Sequence, residues 1–298
     1  MQFHNDFDSI IASLAARSER ARVAVVCPHD EHTCEAVADA IKASLADFVL
    51  VGDPARIPFA ADEHVSIVNI PDNDAACAAA VALAREGKVD VLMKGLVNTD
   101  NLLRAILNKE TGILPRGTVM SHITAAQIPG RHKLLLFSDA CVIPFPNDEQ
   151  FAAITGYLIN TLRTLGVEQP RVALTHCTEK TSPKFPITLS YAMLKEQCAA
   201  GAMGNAIVDG PMDVKTALDP ESGAIKGIVS PVNGDADAIV FPDIEAGNTF
   251  YKTISWLAHA TMAGMIVGTQ VPVVLPSRGD SSRSKLCSLA LAISVARH

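Results

Sequence analysis

The chain is short of aromatic residues, cysteine pairs and long apolar runs. Only 5% of its 298 residues are Phe, Trp or Tyr, while 49% are hydrophobic, so Ala, Val, Ile and Leu must build most of the core. The seven cysteines are scattered, odd in number and never spaced as Cys-X-X-Cys, which argues against a disulfide framework and for a reducing compartment. No run of ~18 apolar residues occurs, so we expect no membrane span.

Positive charge and nucleotide-binding motifs are also lacking. The net charge of −7 argues against nucleic acid as a partner, although a local group of Arg and Lys can still hold an anion. Neither GxxxxGK(S/T) nor GxGxxG occurs, so a P-loop or dinucleotide site lacks its usual support. The first helix-like stretch is charged, so we expect no secretory signal and a cytoplasmic protein.

Short apolar runs alternate with longer stretches of helical periodicity, which predicts an α/β fold with a mostly parallel sheet and flanking helices. The predicted strands are 22–27, 48–51, 65–70, 89–93, 133–137, 171–175, 206–208, 238–241 and 271–275. The predicted helices are 31–45, 74–86, 99–108, 148–165, 188–199, 247–263 and 281–297. No flexible linker is evident, so we expect ordinary loops near Pro129-Gly130 and near 268–271 to cross any domain boundary.

The most informative segment is VPVVLPSRGDSSRSK, residues 271–285. It predicts a β-branched strand that ends in a loop, followed by the final helix. In that loop Arg278 offers a planar fork of donors, Ser277 a hydroxyl and Gly279 room for backbone amides, while the helix N-terminus adds a positive dipole. These groups suit an oxyanion. A surface Ser-Arg turn with a helix cap is the structural alternative.

Three further segments are informative when they are read together with this one. They are MKGLVNTDNLLRAILNKETGI at 93–113, DGPMDVKTAL at 209–218 and FPDIEAGNTFYK at 241–252. Together with 271–285, they resemble the phosphate acetyltransferase and phosphate butyryltransferase family. The resemblance covers most of the chain from about residue 89. The Lys94-Gly95 pair and the compact length are more similar to the butyryl branch.

The resemblance implies a two-lobed architecture similar to that of isocitrate and isopropylmalate dehydrogenases. It implies a first α/β lobe made of 1–130 plus 270–298, a second made of 131–269, and an active-site cleft between them. It also implies a homodimer or higher homo-oligomer. The substrates would be coenzyme A, its acyl thioester and inorganic phosphate, with no tightly bound cofactor, no metal, no nucleic acid and no membrane as partners.

The chemistry implied by the resemblance is reversible acyl transfer between coenzyme A and phosphate in a ternary complex. Phosphate needs cations and oriented donors, and the thioester oxygen needs an electrophilic partner as it gains charge. Ser277 and Arg278 are the phosphate ligands that we expect first. Neither a metal nor a covalent enzyme intermediate is required.

Further binding residues follow from position in the predicted elements. Lys94 and Gly95 end a strand at the sheet edge where α/β ligand sites lie, although a solvated Lys on a turn is the alternative. Thr99 and Arg104 open the next helix, and Arg104 occupies the position of an arginine that the family places near its active site. Helical spacing alone would make Arg104 a surface residue.

The middle of the chain contains polar residues that are candidates for the active site. Each of them also has a possible structural role. His122, after Ser121, would donate to the acyl oxygen or relay a proton, or would be a structural histidine. Asp209 with Gly210, and Asp243, end short apolar runs at strand tips, or cap helices. Asn248 follows Asp243 and belongs to a stretch, 245–248, that also reads as a turn before a helix.

The base that accepts the thiol proton is not evident. Acetyl-transferring relatives carry an aspartate seven positions after the Ser-Arg serine, and that count reaches Ser284 here. Asp280 is the substitute candidate because Arg278 could orient its carboxylate, although the pair would also fit a structural role. As a base, Asp280 would need a raised pKa.

Two further groups of residues resemble functional motifs, but we favour other interpretations of them. His29, His32 and Cys34 offer metal ligands, but their stretch is more typical of a loop that caps the first helix of a βα unit. His176-Cys177 imitates a thiol-imidazole pair, but adjacent residues of an extended chain point in opposite directions.

The sequence therefore predicts a phosphate acyltransferase that acts on butyryl-CoA. Acetyl-CoA is the nearest alternative substrate. A metal- and NAD-dependent hydroxy-acid dehydrogenase of similar fold is an alternative from another enzyme class. A non-catalytic module that binds coenzyme A or an acyl phosphate is the alternative outside enzymology.

Overall fold

The computed structural model describes residues 3–59, 62–232, 234–277 and 279–296 of the chain. Its strands are β1 Ala21–Val26, β2 Ala46–Gly52, β3 Val65–Asn69, β4 Val91–Lys94, β5 Ser121–Gln127, β6 Leu135–Ser138, β7 Arg171–Thr175, β8 Ile207–Met212, β9 Ala238–Val240, β10 Thr261–Val267 and β11 Val273–Val274. Its helices are α1 Phe7–Ala15, α2 Glu31–Lys42, α3 Asn73–Arg85, α4 Thr99–Ile106, α5 Asp148–Thr164, α6 Ile187–Ala199, α7 Val214–Leu218, α8 Pro220–Lys226, α9 Ile244–Leu257 and α10 Ser282–Val295, with a 3₁₀ turn at Pro54–Arg56.

The chain forms two compact units. The terminal unit comprises Asp6–Met120 and Met262–His298, and the middle unit comprises Met1–Asn5 and Ser121–Thr261. Both consist of strands with flanking helices, so the predicted α/β fold with mostly parallel strands is confirmed. None of the helices in the described ranges has both the length and the apolar character needed to cross a bilayer.

The terminal unit has the strand order β3-β2-β1-β4-β11-β10. All its neighbouring strands are parallel except β10 and β11, which pair antiparallel. The apolar strands β1 and β4 lie in the interior, and the nearly fully buried α10 packs against α2. Because β1 leads to β2 on one side and pairs with β4 on the other, the order reverses between β1 and β4, where α/β proteins place ligands.

A buried ion pair joins α10 to the start of α2. Lys285 is 2% exposed, and its Nζ donates to Asp30 Oδ1 at 2.8 Å and to Thr33 Oγ1 at 2.9 Å. Burial alone would raise the pKa of Asp30, but the bonds from Lys285 and Thr33 outweigh it and hold that pKa below its usual value. Asp30 also caps α2 by accepting from the Thr33 N–H.

The middle unit has the strand order β5-β6-β9-β7-β8. β5 and β6 are antiparallel, and the remaining pairs are parallel. Helix α5 begins with a capping box in which Asn147 and Gln150 bond reciprocally. Phe137 of β6 contacts Phe241 and Phe250 edge-on, so an aromatic cluster joins the sheet to α9.

The chain passes between units at residues 5–6, 120–121 and 261–262. The last two crossings lie before the loops that we expected to cross. The turn at Pro129-Gly130 instead connects the antiparallel neighbours β5 and β6 within the middle unit. The turn near Gly268 likewise connects β10 and β11, with a positive φ of 91° at Gly268. These Pro and Gly signals mark hairpin turns, because antiparallel neighbours need only a short connection.

Candidate functional site

Lys94 and Ser277 emerge at one edge of the terminal sheet. Lys94 is the last residue of β4, and Ser277 follows β11, the parallel neighbour of β4. The carboxyl ends of parallel strands meet at one sheet edge, so both side chains belong to the edge where α/β ligand sites form. The sequence predicted a strand end at each of these residues, but not that the two strands are neighbours.

Lys94 is buried and its ammonium is fixed. The residue is only 4% exposed, and Nζ donates to the Gly95 carbonyl at 3.2 Å and the Val97 carbonyl at 3.3 Å. Gly95 is required next to it, since a Cβ there would lie 2.4 Å from the Cys27 carbonyl oxygen. The alternative of a solvated Lys on a turn is therefore wrong. A buried ammonium at this edge attracts an anion.

The loop after β11 is closed by Asp280. The Ser277 backbone N–H donates to Asp280 Oδ2 at 2.8 Å, and the Asp280 N–H donates back to the Ser277 carbonyl at 3.1 Å. Gly279 is exposed in this turn, and Arg278 lies outside the described residues. Asp280 thus fixes the backbone at Ser277. Its predicted role as a base stays a prediction.

Helix α10 starts directly after this loop. The Ser281 side chain caps the helix by accepting from the Ser284 N–H at 3.2 Å. The exposed Ser277 hydroxyl therefore lies a few residues before a helix N-terminus, whose dipole favours anions. Ser284, where acetyl-transferring relatives were expected to carry an aspartate, belongs to this first turn.

Arg104 lines a cavity of about 370 Å³ between α3 and α4. Arg85 lines it too, as do Asn101 and Asp74, which are joined by a hydrogen bond. Two guanidiniums on one cavity suit an anion. Arg104 is nevertheless an exposed residue, as helical spacing indicated, and its role near the active site stays a prediction. Thr99 is exposed on the first turn of α4.

In the middle unit, Asp139 organises the start of β5 and the loop after β6. The residue is 1% exposed and accepts five hydrogen bonds. The donors are the Ser121 hydroxyl and the backbone N–H groups of His122, Cys141, Val142 and Ile143. This carboxylate brings the predicted residues Ser121 and His122 together with the loop at 139–143.

His122 and Cys141 belong to this cluster. His122 is 7% exposed, and its Nδ1 lies 3.3 Å from Thr124 Oγ1. Burial would raise the pKa of the Cys141 thiol, but the charge and hydrogen bond of His122, with a contribution from Lys252, lower it overall. The Cys141 side chain is exposed, so it offers an acidified thiol at the edge of the cluster.

Helix α9 packs against the same loop. The Asp243 side chain caps it by accepting from the Ala246 N–H at 2.8 Å, so the predicted capping alternative describes what Asp243 does. A Cβ at Gly247 would lie 2.1 Å from the Asp139 carbonyl oxygen, which leaves room only for glycine. Asn248 donates to the Ala140 carbonyl at 3.0 Å and thereby joins the cluster around Asp139.

Asp209 is not at a strand tip, contrary to the sequence prediction. It lies within β8, which continues through Gly210 and Pro211 to Met212. Asp209 is 6% exposed, pairs with Lys195 and accepts from the Gly210 N–H at 2.9 Å. Gly210 is required, since a Cβ there would lie 2.4 Å from the Leu174 carbonyl oxygen. These contacts are structural.

The histidines and the cysteine near α2 do not form a metal site. Within the described ranges no group of three or more His, Cys, Asp or Glu side chains could hold a metal ion. The Cys34 thiol donates to the Pro28 carbonyl at 3.2 Å, and His32 lies beside Glu35. Burial first, and Arg56 second, lower the pKa of His29.

His176 and Cys177 do form a contact, so the expectation that they point apart is wrong. Cys177 Sγ lies 3.6 Å from His176 Nδ1. Both residues follow Thr175, the last residue of β7, so the alternation of an extended strand no longer applies.

Comparison with known proteins decides the family. A family model described as "Phosphate acetyl/butaryl transferase" matches residues 68–293. The chain belongs to this family. The matched range contains every predicted site residue, from Lys94 to Asp280.

Curated relatives of this phosphate acyltransferase family carry both names. A phosphate butyryltransferase of Clostridium acetobutylicum is 38% identical over 97% of this chain and 98% of its own. A phosphate acetyltransferase of Rhizobium meliloti is 37% identical over 96% of this chain and 92% of its own.

Solved structures agree with the fold. A branched-chain phosphotransacylase from Enterococcus faecalis superposes with a TM-score of 0.83 at 29% identity, over 93% of this chain and all of that one. A 4-hydroxythreonine-4-phosphate dehydrogenase from Klebsiella pneumoniae gives a TM-score of 0.57 at 12% identity over 94% of this chain, which shows a shared fold only.

The sequence did not single out Asp139 and Cys141. The criterion that selected Asp209 and Asp243, a carboxylate within two residues of the end of an apolar run, also fits Asp139, which follows the run at 133–137 and Ser138. Cys141 carried no such signal, because its proximity to His122 depends on the antiparallel pairing of β5 with β6.

Proposed function

We propose that the protein transfers an acyl group reversibly between coenzyme A and inorganic phosphate, with butyryl as its main acyl group. The observation that carries the proposal is that the buried Lys94, at the end of β4, and the Ser277 loop, after β11, lie at one sheet edge, within a chain of the phosphate acyltransferase family. A phosphate oxygen attacks the thioester carbonyl carbon, the carbon–sulfur bond breaks, and the thiolate of coenzyme A takes up a proton.

The terminal unit supplies the anion ligands in this proposal. Lys94, the Ser277 hydroxyl and the Arg278 guanidinium hold the phosphate, while Gly95 and Gly279 allow backbone amides to approach it. Arg104, together with Arg85 on the same cavity, holds phosphate groups of coenzyme A, and Thr99 adds a hydroxyl. Asp280 fixes the Ser277 loop and is also the candidate base.

The middle unit supplies groups for the acyl carbonyl and the proton. His122, fixed through its backbone by Asp139, donates to the carbonyl oxygen as negative charge develops there. Ser121 shares the carboxylate of Asp139. Asn248 and Asp243 support this loop through α9, whereas Asp209 and Gly210 act only through the packing of β8.

Butyryl and acetyl groups differ by two methylenes, and an apolar pocket discriminates each by only about 1–3 kcal/mol. We therefore propose activity on both acyl groups, as the relatives at 38% and 37% identity carry one name each. The Lys94-Gly95 pair and the compact length, which resemble the butyryl branch, support a preference for butyryl-CoA. The protein acts without a tightly bound cofactor.

We further propose a homodimer that acts in the cytoplasm. The middle unit leaves Trp256 and Leu257 largely exposed at the end of α9, Ile225 exposed in the last turn of α8 and Val229 exposed after that helix. Exposed large apolar side chains of this kind are typical of an interface. Light scattering after gel filtration measures the mass, and a monomer at micromolar concentration would contradict the dimer.

Release of free thiol from butyryl-CoA and from acetyl-CoA, each with and without phosphate, tests the function. Release that depends on phosphate and is faster with butyryl-CoA supports the proposal. Phosphate-dependent release that is faster with acetyl-CoA supports the proposed reaction but makes acetyl-CoA the preferred substrate. No phosphate-dependent release from either thioester contradicts it.

A further inference from the structure

A cavity at the carboxyl ends of β7 and β9 adjoins the cluster around Asp139. Ser138 and Val240, the last residues of β6 and β9, pair with each other. Phe241 follows Val240, and its N–H donates to the Ser138 carbonyl at 2.9 Å, one residue before Asp139. Phe241 lines a cavity of about 780 Å³, and so does Thr175 at the end of β7. The cavity and the cluster therefore lie side by side at one edge of the sheet of the middle unit.

Helix α9 contributes to both the cavity and the cluster around Asp139. Ala246 and Phe250 line the cavity, while Asn248, between them in sequence, donates to the Ala140 carbonyl at 3.0 Å. The same cluster holds His122, the donor that we propose for the acyl carbonyl oxygen. An acyl group whose carbonyl oxygen accepts from His122 can therefore extend its chain into this cavity.

The walls of the cavity suit an apolar chain. Apolar side chains line it, namely Ile187, Val214, Phe241 and Phe250. The rings of Phe241 and Phe250 contact each other with their centroids 5.2 Å apart, so one wall presents a continuous aromatic surface. Cavities of about 300–1,000 Å³ hold drug-sized ligands. A butyryl chain of four carbons is much smaller than such a ligand, so it fills only part of this cavity.

Acidic side chains determine which groups the cavity excludes. Asp213, Asp243 and Glu245 line it. Asp213 pairs with Lys226, whereas Glu245 is exposed. Burial lowers the pKa of His176, which also lines the cavity, so this ring is neutral at pH 7. The cavity therefore repels anions, which include the phosphate groups of coenzyme A and any carboxylate on an acyl chain.

We propose that this cavity is the acyl-chain subsite, and that it accepts neutral apolar acyl groups bulkier than butyryl but excludes acyl groups that end in a carboxylate. The inference rests on the proposed function, because it assigns a place to the acyl group of that reaction. The bonds that form and break stay the same for every acyl group. Ala246 and Glu245 then determine specificity, the first through the size of the cavity and the second through its charge.

The experiment measures kcat/KM of the full-length protein for phosphate-dependent thiol release from butyryl-, hexanoyl-, phenylacetyl- and succinyl-CoA, with the rates in the absence of protein subtracted. Butyryl and succinyl groups both have four carbons, so this pair isolates the effect of the carboxylate. We expect hexanoyl-CoA and phenylacetyl-CoA to reach at least about one third of the value for butyryl-CoA. Succinyl-CoA should fall at least about 100-fold below butyryl-CoA. A loss of more than about 30-fold for both bulky acyl groups, or a value for succinyl-CoA within about threefold of butyryl-CoA, would overturn the proposal.

Two variants on α9 separate size from charge. Ala246→Leu narrows the cavity and should lower kcat/KM for hexanoyl-CoA about tenfold more than for acetyl-CoA. Glu245→Lys should raise kcat/KM for succinyl-CoA relative to butyryl-CoA by about fivefold or more. Ala152→Leu, at a half-buried alanine of α5 that does not line the cavity, is the matched control. An equal loss for every acyl group in Ala246→Leu, together with an unchanged ratio in Glu245→Lys, would contradict the proposal.

Calorimetry of acyl-CoA binding without phosphate separates this inference from the proposed function. Butyryl-CoA should bind about tenfold more tightly than acetyl-CoA, and hexanoyl-CoA at least as tightly as butyryl-CoA, because each added methylene leaves water. Equal affinities for acetyl-CoA and butyryl-CoA, or weaker binding of hexanoyl-CoA than of acetyl-CoA, would contradict the subsite whatever the activity. Binding that depends on chain length in this way, without phosphate-dependent release from any thioester, would support the subsite and contradict the proposed function alone.

Discussion

At the residue scale, Asp139 and Ser277 represent two kinds of functional residue. The carboxylate of Asp139 accepts five hydrogen bonds from within the protein, and these hold the start of β5 and the loop after β6. Ser277 uses only its backbone, in the turn closed by Asp280, and its hydroxyl reaches solvent. Substitution should therefore affect stability at Asp139 and activity at Ser277.

Asp139→Asn should lower the free energy of unfolding by about 3 kcal/mol. The amide nitrogen of Asn is a donor, so buried N–H groups would lose an acceptor while a charge-assisted bond is lost. Urea unfolding monitored by circular dichroism measures the change. A loss below about 1 kcal/mol would contradict the central position that we assign to this carboxylate.

Ser277→Ala should lower kcat/KM for phosphate-dependent acyl transfer by about 100-fold, because a positioned donor to the phosphate is lost. Its free energy of unfolding should stay within about 0.5 kcal/mol of the wild type, since the residue is exposed. Ser294→Ala, on the last turn of α10, is the matched control. Equal activity in both variants would exclude Ser277 from the site.

Cys141 should react with iodoacetamide at a lower pH than an ordinary thiol, because His122 and Lys252 lower its pKa by more than burial and the charge of Asp139 raise it. His122→Gln should move the reaction to higher pH, since it removes the first of these. Peptide mass spectrometry after timed alkylation measures the profile. An unchanged profile in the variant would show that His122 does not act on this thiol.

At the element scale, the positions of two helices each depend on one residue that most substitutions would disturb. Helix α9 approaches the Asp139 loop through Gly247, and α10 is tied to α2 by Lys285. The sequence indicated both helices, but it could not show either contact, because each depends on which strands become neighbours.

Gly247→Ala should destabilise the protein by about 1–3 kcal/mol, because the new methyl would meet the Asp139 backbone at 2.1 Å. Gly156, in α5, has open space where its Cβ would lie. Gly156→Ala should therefore be neutral or stabilise by up to about 1 kcal/mol through helix propensity. Thermal unfolding of both variants measures the contrast, and equal effects would contradict the packing of α9.

The Asp30–Lys285 pair should make stability depend on pH in the acid range. The pKa of Asp30 is lowered by folding, so its contribution is complete above its unfolded value of about 4 and is lost as pH falls through the lower folded value. Lys285→Met should reduce stability at pH 7 and flatten this acid dependence. Urea unfolding between about pH 2 and pH 7 tests it, and parallel curves for both proteins would exclude the pair as the cause.

Strand prediction succeeded where apolar runs were continuous and failed where they were not. β5, with the sequence SHITAAQ, was missed because Ser, His and Gln interrupt it. β10 was missed because small and apolar residues in TMAGMIV continue the helical pattern of the preceding segment, although α9 ends at Leu257. Whether such a segment forms a strand depends on the burial of both its faces in the folded protein. The periodicity of the sequence does not show that burial.

At the scale of the whole molecule, the sequence predicted the α/β class and the family, and the family match supplies the reaction. The paired strands β4 and β11 explain why two segments far apart in sequence, ending at Lys94 and leading to Ser277, share one sheet edge. Their pairing could not be read from either segment alone.

Identification of the phosphorus product tests the central claim most directly. Butyryl-CoA and inorganic phosphate are incubated with the protein, and ³¹P NMR follows the phosphate signal, with the Ser277→Ala variant as a control. The account predicts a new acyl phosphate signal that grows with the release of coenzyme A and disappears when excess coenzyme A is added. Release of coenzyme A with no acyl phosphate signal would instead indicate hydrolysis of the thioester and would contradict phosphate acyl transfer.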